Sequence, residues 1–277
     1  MKLMWLTDIH LDEVDEKRRR EFYSRLRNEY CDAVVVTGDI SDARRLPGHL
    51  KELAQTFETR PVYFVLGNHD FYGSSFADVD RAVSAVCEEQ TNLRHLGHGE
   101  IIPLAGGSAL VGHRGWADAR AGWGSRTVIP NPDHKKIEDL CGLPEQDGFD
   151  KLAELGKESA NYFRSILPYA LQCYRHVWVA THVPPFTWAA FYKSKPCGRT
   201  HQPHYVNVSA GCAIRGISKS FPKSRLSVLC GHTHSAAEVS ASEKVRVIVG
   251  EARKKFPQMQ KVFEVSAATA AVRRGGG

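Results

Sequence analysis

The sequence predicts an α/β protein with a largely parallel inner sheet and antiparallel additions. Three observations predict it. Short apolar runs alternate with amphipathic stretches up to about residue 90, which implies β-α-β units. From residue 92 the chain changes to closely spaced apolar segments with glycines at the turns, the texture of antiparallel pairing. Several of the apolar runs also stop abruptly on Asp, Asn or His, as happens where a sheet offers the carboxyl ends of its strands to a ligand.

Taken in order, "KLMWLTD" is a buried strand. Residues 15–30, "DEKRRREFYSRLRNEY", set Phe22, Leu26 and Tyr30 at four-residue spacing, which makes one apolar helical face. "DAVVVTGD" is the second strand, a helical piece lies around 48–58, "PVYFVLGNHD" is the third strand, and 75–90 is a further helix. "NLRHLG", "EIIPLAG" and "SALVGHRGW" are the short strands. An insertion near 113–150, rich in Gly, Pro and Asp, precedes a long helix over about 150–174. "HVWVATH" and "LSVLCGHTH" flank a second insertion near 184–225, and "KVRVIVG" and "KVFEV" follow as strands before a loose "RRGGG" tail. No repeat and no linker divides the chain, so residues 1–277 are expected to form a single domain.

Composition narrows the function classes only gently. Lys and Arg outnumber Asp and Glu by 37 to 31, a mild basic excess that favours anionic partners and permits nucleic acid without indicating it. The seven cysteines, at 31, 87, 141, 173, 197, 212 and 230, contain no C-x-x-C pair and read as reduced thiols. No run approaches the ~20 apolar residues of a membrane helix. The opening "LMWL" reaches Asp8 with no basic region or cleavage site before it. A cytoplasmic protein with no membrane partner is expected.

The strand ends are unusually alike. "WLTDIH" ends on Asp8 and His10, "VVVTGD" on Asp39, "FVLGNHD" on Asn68, His69 and Asp70, "WVATH" on His182, and "VLCGHTH" on His232 and His234. In Asp8-x-His10 and His232-x-His234 the paired residues stand two apart, so an extended segment would point both to one side. Imidazole with carboxylate and amide oxygen suits zinc, iron or manganese. Glycines at 38, 67 and 231 would let the backbone turn sharply before the ligand. Singly, an Asp here is an ordinary turn former and a His an ordinary hydrogen-bonded side chain. Five such strand ends in one chain are not ordinary.

With D-x-H at Asp8 and His10, G-D at Gly38 and Asp39, G-N-H-D at Gly67 to Asp70, the isolated His182 and G-H-x-H at Gly231 to His234, the sequence resembles the calcineurin-like metallophosphoesterase superfamily. The motifs span residues 8–234, most of the chain. The resemblance implies a four-layer αββα sandwich and two divalent ions, manganese, iron or zinc, bridged by Asp39. One ion would be held by Asp8, His10 and His234, the other by Asn68, His182 and His232. It implies His69 as the acid for the leaving oxygen and Asp70 as the partner that orients its ring. A two-metal site answers the difficulty of the reaction, since a phosphate ester is an anion that repels hydroxide.

The implied activity is hydrolysis of a small phosphate ester or nucleotide, with phosphodiesterase ahead of monoesterase. A nuclease of the same superfamily and a metal-free scaffold on the same fold are the alternatives. Protein serine/threonine phosphatases of the superfamily carry arginines soon after G-D and G-N-H. Here those stretches read "GDISDARR" and "GNHDFYGS", which points away from that activity. "FYKSKPCGRTHQPH" gathers Lys193, Lys195, Arg199, His201 and His204, either as a basic lid over the site or as a solvated loop. Arg114, Trp116, Arg120, Trp123 and Arg126 interleave guanidinium and indole, compatible equally with stacking on a base and with aromatic packing beneath a loop.

Overall fold

Four parallel strands, β1 (Lys2–Leu6), β2 (Ala33–Thr37), β3 (Val62–Val65) and β4 (Leu93–His95), form one sheet in sequence order. The computed structural model describes residues 1–266, so the "RRGGG" stretch lies outside the described residues. The second sheet contains β5 (Ile102–Leu104), β6 (Ser108–Gly112), β7 (His176–Ala180), β10 (Arg225–Cys230), β11 (Ala237–Ser242) and β12 (Val245–Val249), in the order β11-β12-β10-β7-β6-β5. Its four inner strands are parallel, and β5 and β11 add antiparallel edges. β13 (Met259–Glu264) closes the first sheet antiparallel to β1. A two-residue pair, β8 (Phe191–Tyr192) with β9 (Lys195–Pro196), stands apart in the second insertion.

Alternation along each strand divides the core into layers. Met4, Leu6, Val34 and Val36 face α1 (Glu16–Asn28), α2 (Leu46–Phe57) and α3 (Phe76–Glu89) through Phe22, Leu50, Leu53 and Val83. Leu3, Trp5, Ala33 and Val35 turn the other way and meet Leu110, Trp178, Ala180 and Leu229 of the second sheet. Val177, Val179, Leu226 and Val228 face outward onto α5 (Glu145–Cys173) and α7 (Val208–Ser220). Helix, sheet, sheet, helix is the αββα sandwich. The two-sided burial explains why β1 and β2 read as near-continuous apolar runs.

Several expectations shift. "NLRHLG" is not part of an antiparallel group: β4 pairs parallel with β3, Val62 opposite Leu93, because α3 supplies the crossover that a parallel neighbour needs. The one hairpin of the three is β5–β6. The second insertion, to which the sequence assigned no element, ends in α7, whose small residues hide an apolar face containing Ala210 and Ile214. Tyr30 lies beyond the end of α1 and is 64% exposed, and Tyr23 joins Phe22 and Leu26 on the buried face instead. α4 (Asp133–Lys136) and α6 (Gln202–Tyr205) are single turns within the two insertions.

The insertions are laced to each other. Asp118, Ala119 and Trp123 donate backbone N–H to the carbonyls of Val206, Pro203 and Arg199 at 3.2, 3.2 and 2.9 Å. Asp118, fully buried, also accepts the Ser209 N–H at 2.8 Å and so caps α7 from the first insertion. Arg126 and Arg199 lie over the Trp123 ring. Trp116 packs edge-on to Phe71 and Phe76. Aromatic packing is therefore what Trp116 does, whereas the half-exposed Trp123 ring is covered by guanidinium groups.

Candidate metal centre

Every candidate residue follows the carboxyl end of a parallel strand. Asp8 and His10 follow β1, Asp39 follows β2, Asn68 to Asp70 follow β3, His182 follows β7, and His232 and His234 follow β10. The two sheets bring these ends together, and backbone bonds tie the loops, Asp8 N–H to Gly38 O at 3.0 Å and Gly231 N–H to His182 O at 2.9 Å.

All seven candidate ligands converge. The donor atoms of Asp8, His10, Asp39 and His234 lie within 4.8 Å of one another. His10 Nε2 faces His234 Nε2 at 3.1 Å, and His234 Nε2 is 3.3 Å from Asp8 Oδ1. Beside them, Asn68 Oδ1 is 3.2 Å from His182 Nε2 and 3.1 Å from His232 Nδ1, and the two nitrogens are 3.2 Å apart. Asp39 joins the groups, with Oδ1 3.3 Å from His182 Nε2 and Oδ2 3.8 Å from His10 Nε2.

These contacts fit cations better than they fit one another. A pair of facing imidazole nitrogens can share only one proton, whereas ligands ~2.1 Å from a common ion lie roughly 3 Å apart. Among the described residues neither Asp8 nor Asp39, both buried, pairs with Lys or Arg. Buried carboxylates without a cationic partner are costly. In this state the imidazoles supply the charge: burial opposes it, but the Asp39 carboxylate lifts the His182 pKa to about 10. Burial, and then the charge on His182, hold His232 down at about 4.

The backbone reaches this arrangement by kinks rather than by extension. Asp8 (φ 47°), His10 (φ 38°), Asp39 (φ 51°), His232 (φ 69°) and His234 (φ 53°) all occupy the left-handed region, which Asp and His tolerate better than most residues. The extended-segment reason for D-x-H and H-x-H therefore does not hold, although the residues do converge. Of the three glycines, only Gly38 has positive φ, +89°. Gly231 is needed for close approach, since a Cβ there would sit 1.8 Å from Asp8 Oδ2.

Neighbouring groups fix which atom of each ligand faces the centre. His182 Nδ1 donates to Thr37 O at 2.8 Å and His232 Nε2 to His204 O at 2.7 Å, which leaves Nε2 and Nδ1 respectively as the atoms that face the centre. Asn68 Nδ2 donates to Asp133 Oδ1 at 2.9 Å, leaving Oδ1 for the centre, and Tyr72 OH donates to the same Asp133 oxygen at 2.8 Å. Asp133 and the His204 carbonyl had no signal in the sequence, because each arrives from an insertion far along the chain. Tyr72, four residues after Asn68, stood within the quoted motif and could have been found there.

His69 lines the cleft, its backbone N–H on Asp39 Oδ1 at 2.9 Å and its ring edge-on to His10 with centroids 4.6 Å apart. Burial lowers its pKa, and Asp39 opposes that. Asp70 departs from expectation. Fully buried, it accepts N–H from Ile40 and Ser41 on Oδ1 and from Gly67 on Oδ2, each at 2.8 Å. Its carboxylate holds the β2 and β3 loops together, and no hydrogen bond joins it to the His69 ring, because the neighbouring side chains point apart.

A cleft of about 220 Å³ opens over the centre. Ile129 to Asp133 of the first insertion and Tyr192, His201, His204 and Tyr205 of the second line it together with Asp39, Asn68 and His232. Lys193, Lys195 and Arg199 do not line it, so the lid over the site is aromatic and imidazole rather than basic.

Comparison with curated proteins gives no match. Among solved structures, a dimetal phosphatase from Danio rerio is similar, at 14% identity and a TM-score of 0.58, over 91% of this chain and 87% of that one. The protein TT1561 of Thermus thermophilus is similar at 14% identity and a TM-score of 0.52, over 90% and 89%. At these identities the likeness is one of fold. The family model of the calcineurin-like phosphoesterases matches residues 1–236, the span that includes both sets of converging side chains, and the chain accordingly belongs to that family of metal-dependent phosphoester hydrolases.

Proposed function

We propose that this chain is a dinuclear phosphoesterase that prefers diesters, with Asp8, His10, Asp39 and His234 on one divalent ion and Asp39, Asn68, His182 and His232 on the other. One observation carries the reading: the two oxygens of Asp39 face different imidazoles, Oδ1 toward His182 and Oδ2 toward His10. The description of the Danio rerio neighbour as a dimetal phosphatase supports it. Manganese, iron and zinc all suit this donor set. Ions held there would supply Lewis acidity to the phosphoryl group and a nucleophile active near neutral pH.

The chain's own residues do the rest. Asp133, Thr37 and the His204 carbonyl orient the ligands, and His69, at the cleft wall beside Asp39, delivers a proton to the leaving oxygen. Among the described residues that line the cleft there is no Lys or Arg. A monoester dianion would lack the extra positive side chain that its second charge calls for, and the singly charged diester does not need one. The small cleft takes a low-molecular-weight ester rather than a duplex. The lacing of the two insertions to each other supports one domain that completes a single site. Seven free cysteines support a reducing, cytoplasmic setting.

Metal analysis of the purified protein tests the centre: close to two ions per chain are expected, falling sharply in Asp39→Asn, and an intact metal-free protein sinks the proposal. Bis-p-nitrophenyl phosphate should be hydrolysed with higher kcat/KM than p-nitrophenyl phosphate. The opposite order removes the diester preference while leaving the dinuclear centre standing.

A further inference from the structure

The cleft has one wall that the ester chemistry does not explain. The rings of Tyr192, His201 and Tyr205 lie nearly parallel, within 8° to 27° of one another, with centroids 4.8 to 6.1 Å apart. Tyr205 also stands edge-on to His232, with centroids 5.4 Å apart, so this wall starts beside a candidate ligand and runs outward. All three rings line the cleft, and Tyr192 remains 36% exposed rather than sunk in a core.

Nothing about holding metal or cleaving phosphorus requires three flat rings here. Their edges and faces offer offset-stacked and edge-on contact to another flat ring. Base–aromatic stacking is also tolerant of base identity, since every base has a π-face. The wall is fixed before any ligand arrives. His204 Nε2 donates to Ile129 O at 2.9 Å, which ties α6 to the opposite insertion, and Ser194 N–H donates to Ser235 Oγ at 3.4 Å. Lys193 Nζ stands 5.2 Å from the Tyr192 centroid, a flexible exposed cation whose place over the ring a flat ligand can take. With no Lys or Arg among the described residues that line the cleft, ring contact is a main source of affinity beyond that of the ions.

We infer that Tyr192, His201 and Tyr205 are the specificity wall for the planar heterocycle of a nucleoside carried on the scissile phosphate; the inference rests on the diesterase reading above. When water displaces the other alcohol from such a diester, the P–O bond to that alcohol breaks and a nucleoside monophosphate remains, so product binding reports on the wall without needing turnover. Titration calorimetry on the metal-loaded protein should show AMP binding about tenfold or more tightly than ribose 5-phosphate, which differs in lacking the base. Tyr192→Leu should bring the two within about twofold, and Tyr192→Phe should keep the preference. Equal affinity of AMP and ribose 5-phosphate for the wild type overturns the inference, as does a preference that survives both Tyr192→Leu and Tyr205→Leu. Hydrolysis of methyl p-nitrophenyl phosphate, which carries no base, is measured on the same sample. Its failure beside a clear AMP preference counts against the esterase reading and leaves the wall standing.

Discussion

Asp133 and Asn68, 65 positions apart, are joined by a hydrogen bond from Asn68 Nδ2 to Asp133 Oδ1 at 2.9 Å. The bond decides which end of the carboxamide faces the centre, and partners of this kind typically matter ~10- to 100-fold in metal affinity. Asp133→Ala should weaken retention of the ion shared by His182 and His232 by that amount and spare the other. A chelator titration followed by metal analysis checks it: loss of both ions in parallel would contradict the independent role given to Asp133.

His69→Ala should lower turnover unevenly. With His69 as the proposed acid, hydrolysis of an ester with an alkoxide leaving group should fall about 10²- to 10⁴-fold. A p-nitrophenolate leaves without help, so its release should fall far less. Equal losses on both substrates would place His69 in binding rather than proton delivery.

Asp70 is the organiser of two loops. In Asp70→Asn one of the carboxylate oxygens becomes an NH2 group facing a backbone N–H, leaving buried donors without an acceptor. The expected cost is about 1 to 3 kcal/mol of stability, read by urea denaturation of the metal-free protein. A variant of unchanged stability but altered pH–rate profile would instead restore Asp70 as the partner of His69.

Acid should destabilise the fold away from the metal centre. Burial, helped by Arg225 and Arg246, lowers the His176 pKa to about 4, and burial with His98, Arg114 and His113 lowers His95 to about 3. The unfolded chain takes up these protons near pH 6.5 and the folded chain does not, so stability is full above about 6.5 and falls as pH drops toward 4 and then 3. His176 alone accounts for ~3 kcal/mol at most over that window. His176→Gln, which can still reach Ser227 Oγ, now 2.9 Å from His176 Nε2, should flatten the pH dependence of the urea midpoint. An unchanged slope would refute the assignment.

Much of the fold was legible because burial on two faces writes itself into sequence. β1 and β2 are continuous apolar runs, α2 and α3 carry apolar stripes, and each ends within about two residues of its predicted limits. α7 was not legible, because Gly211 and Gly216 and its small side chains look like loop and its packing partner α5 lies far back in the chain. The seven converging candidate ligands were legible from residue type and position. What was not legible is how they converge: left-handed kinks leave no periodicity, and an interval of two suggested extension. Asp133, Tyr205 and the His204 carbonyl escaped for a related reason, since their roles come from loop paths that local patterns do not encode.

The five left-handed positions of the centre have an evolutionary consequence. A descendant that no longer bound ions would be free to discard Asp and His, but the loop path would still refuse branched or bulky replacements there, since αL strain in such residues costs of order 1 kcal/mol or more each. Glycine and asparagine are the inexpensive substitutes. A silent relative of this protein should therefore betray its ancestry by small or amide residues at the places of Asp8, His10, Asp39, His232 and His234, long after the chemistry itself has gone.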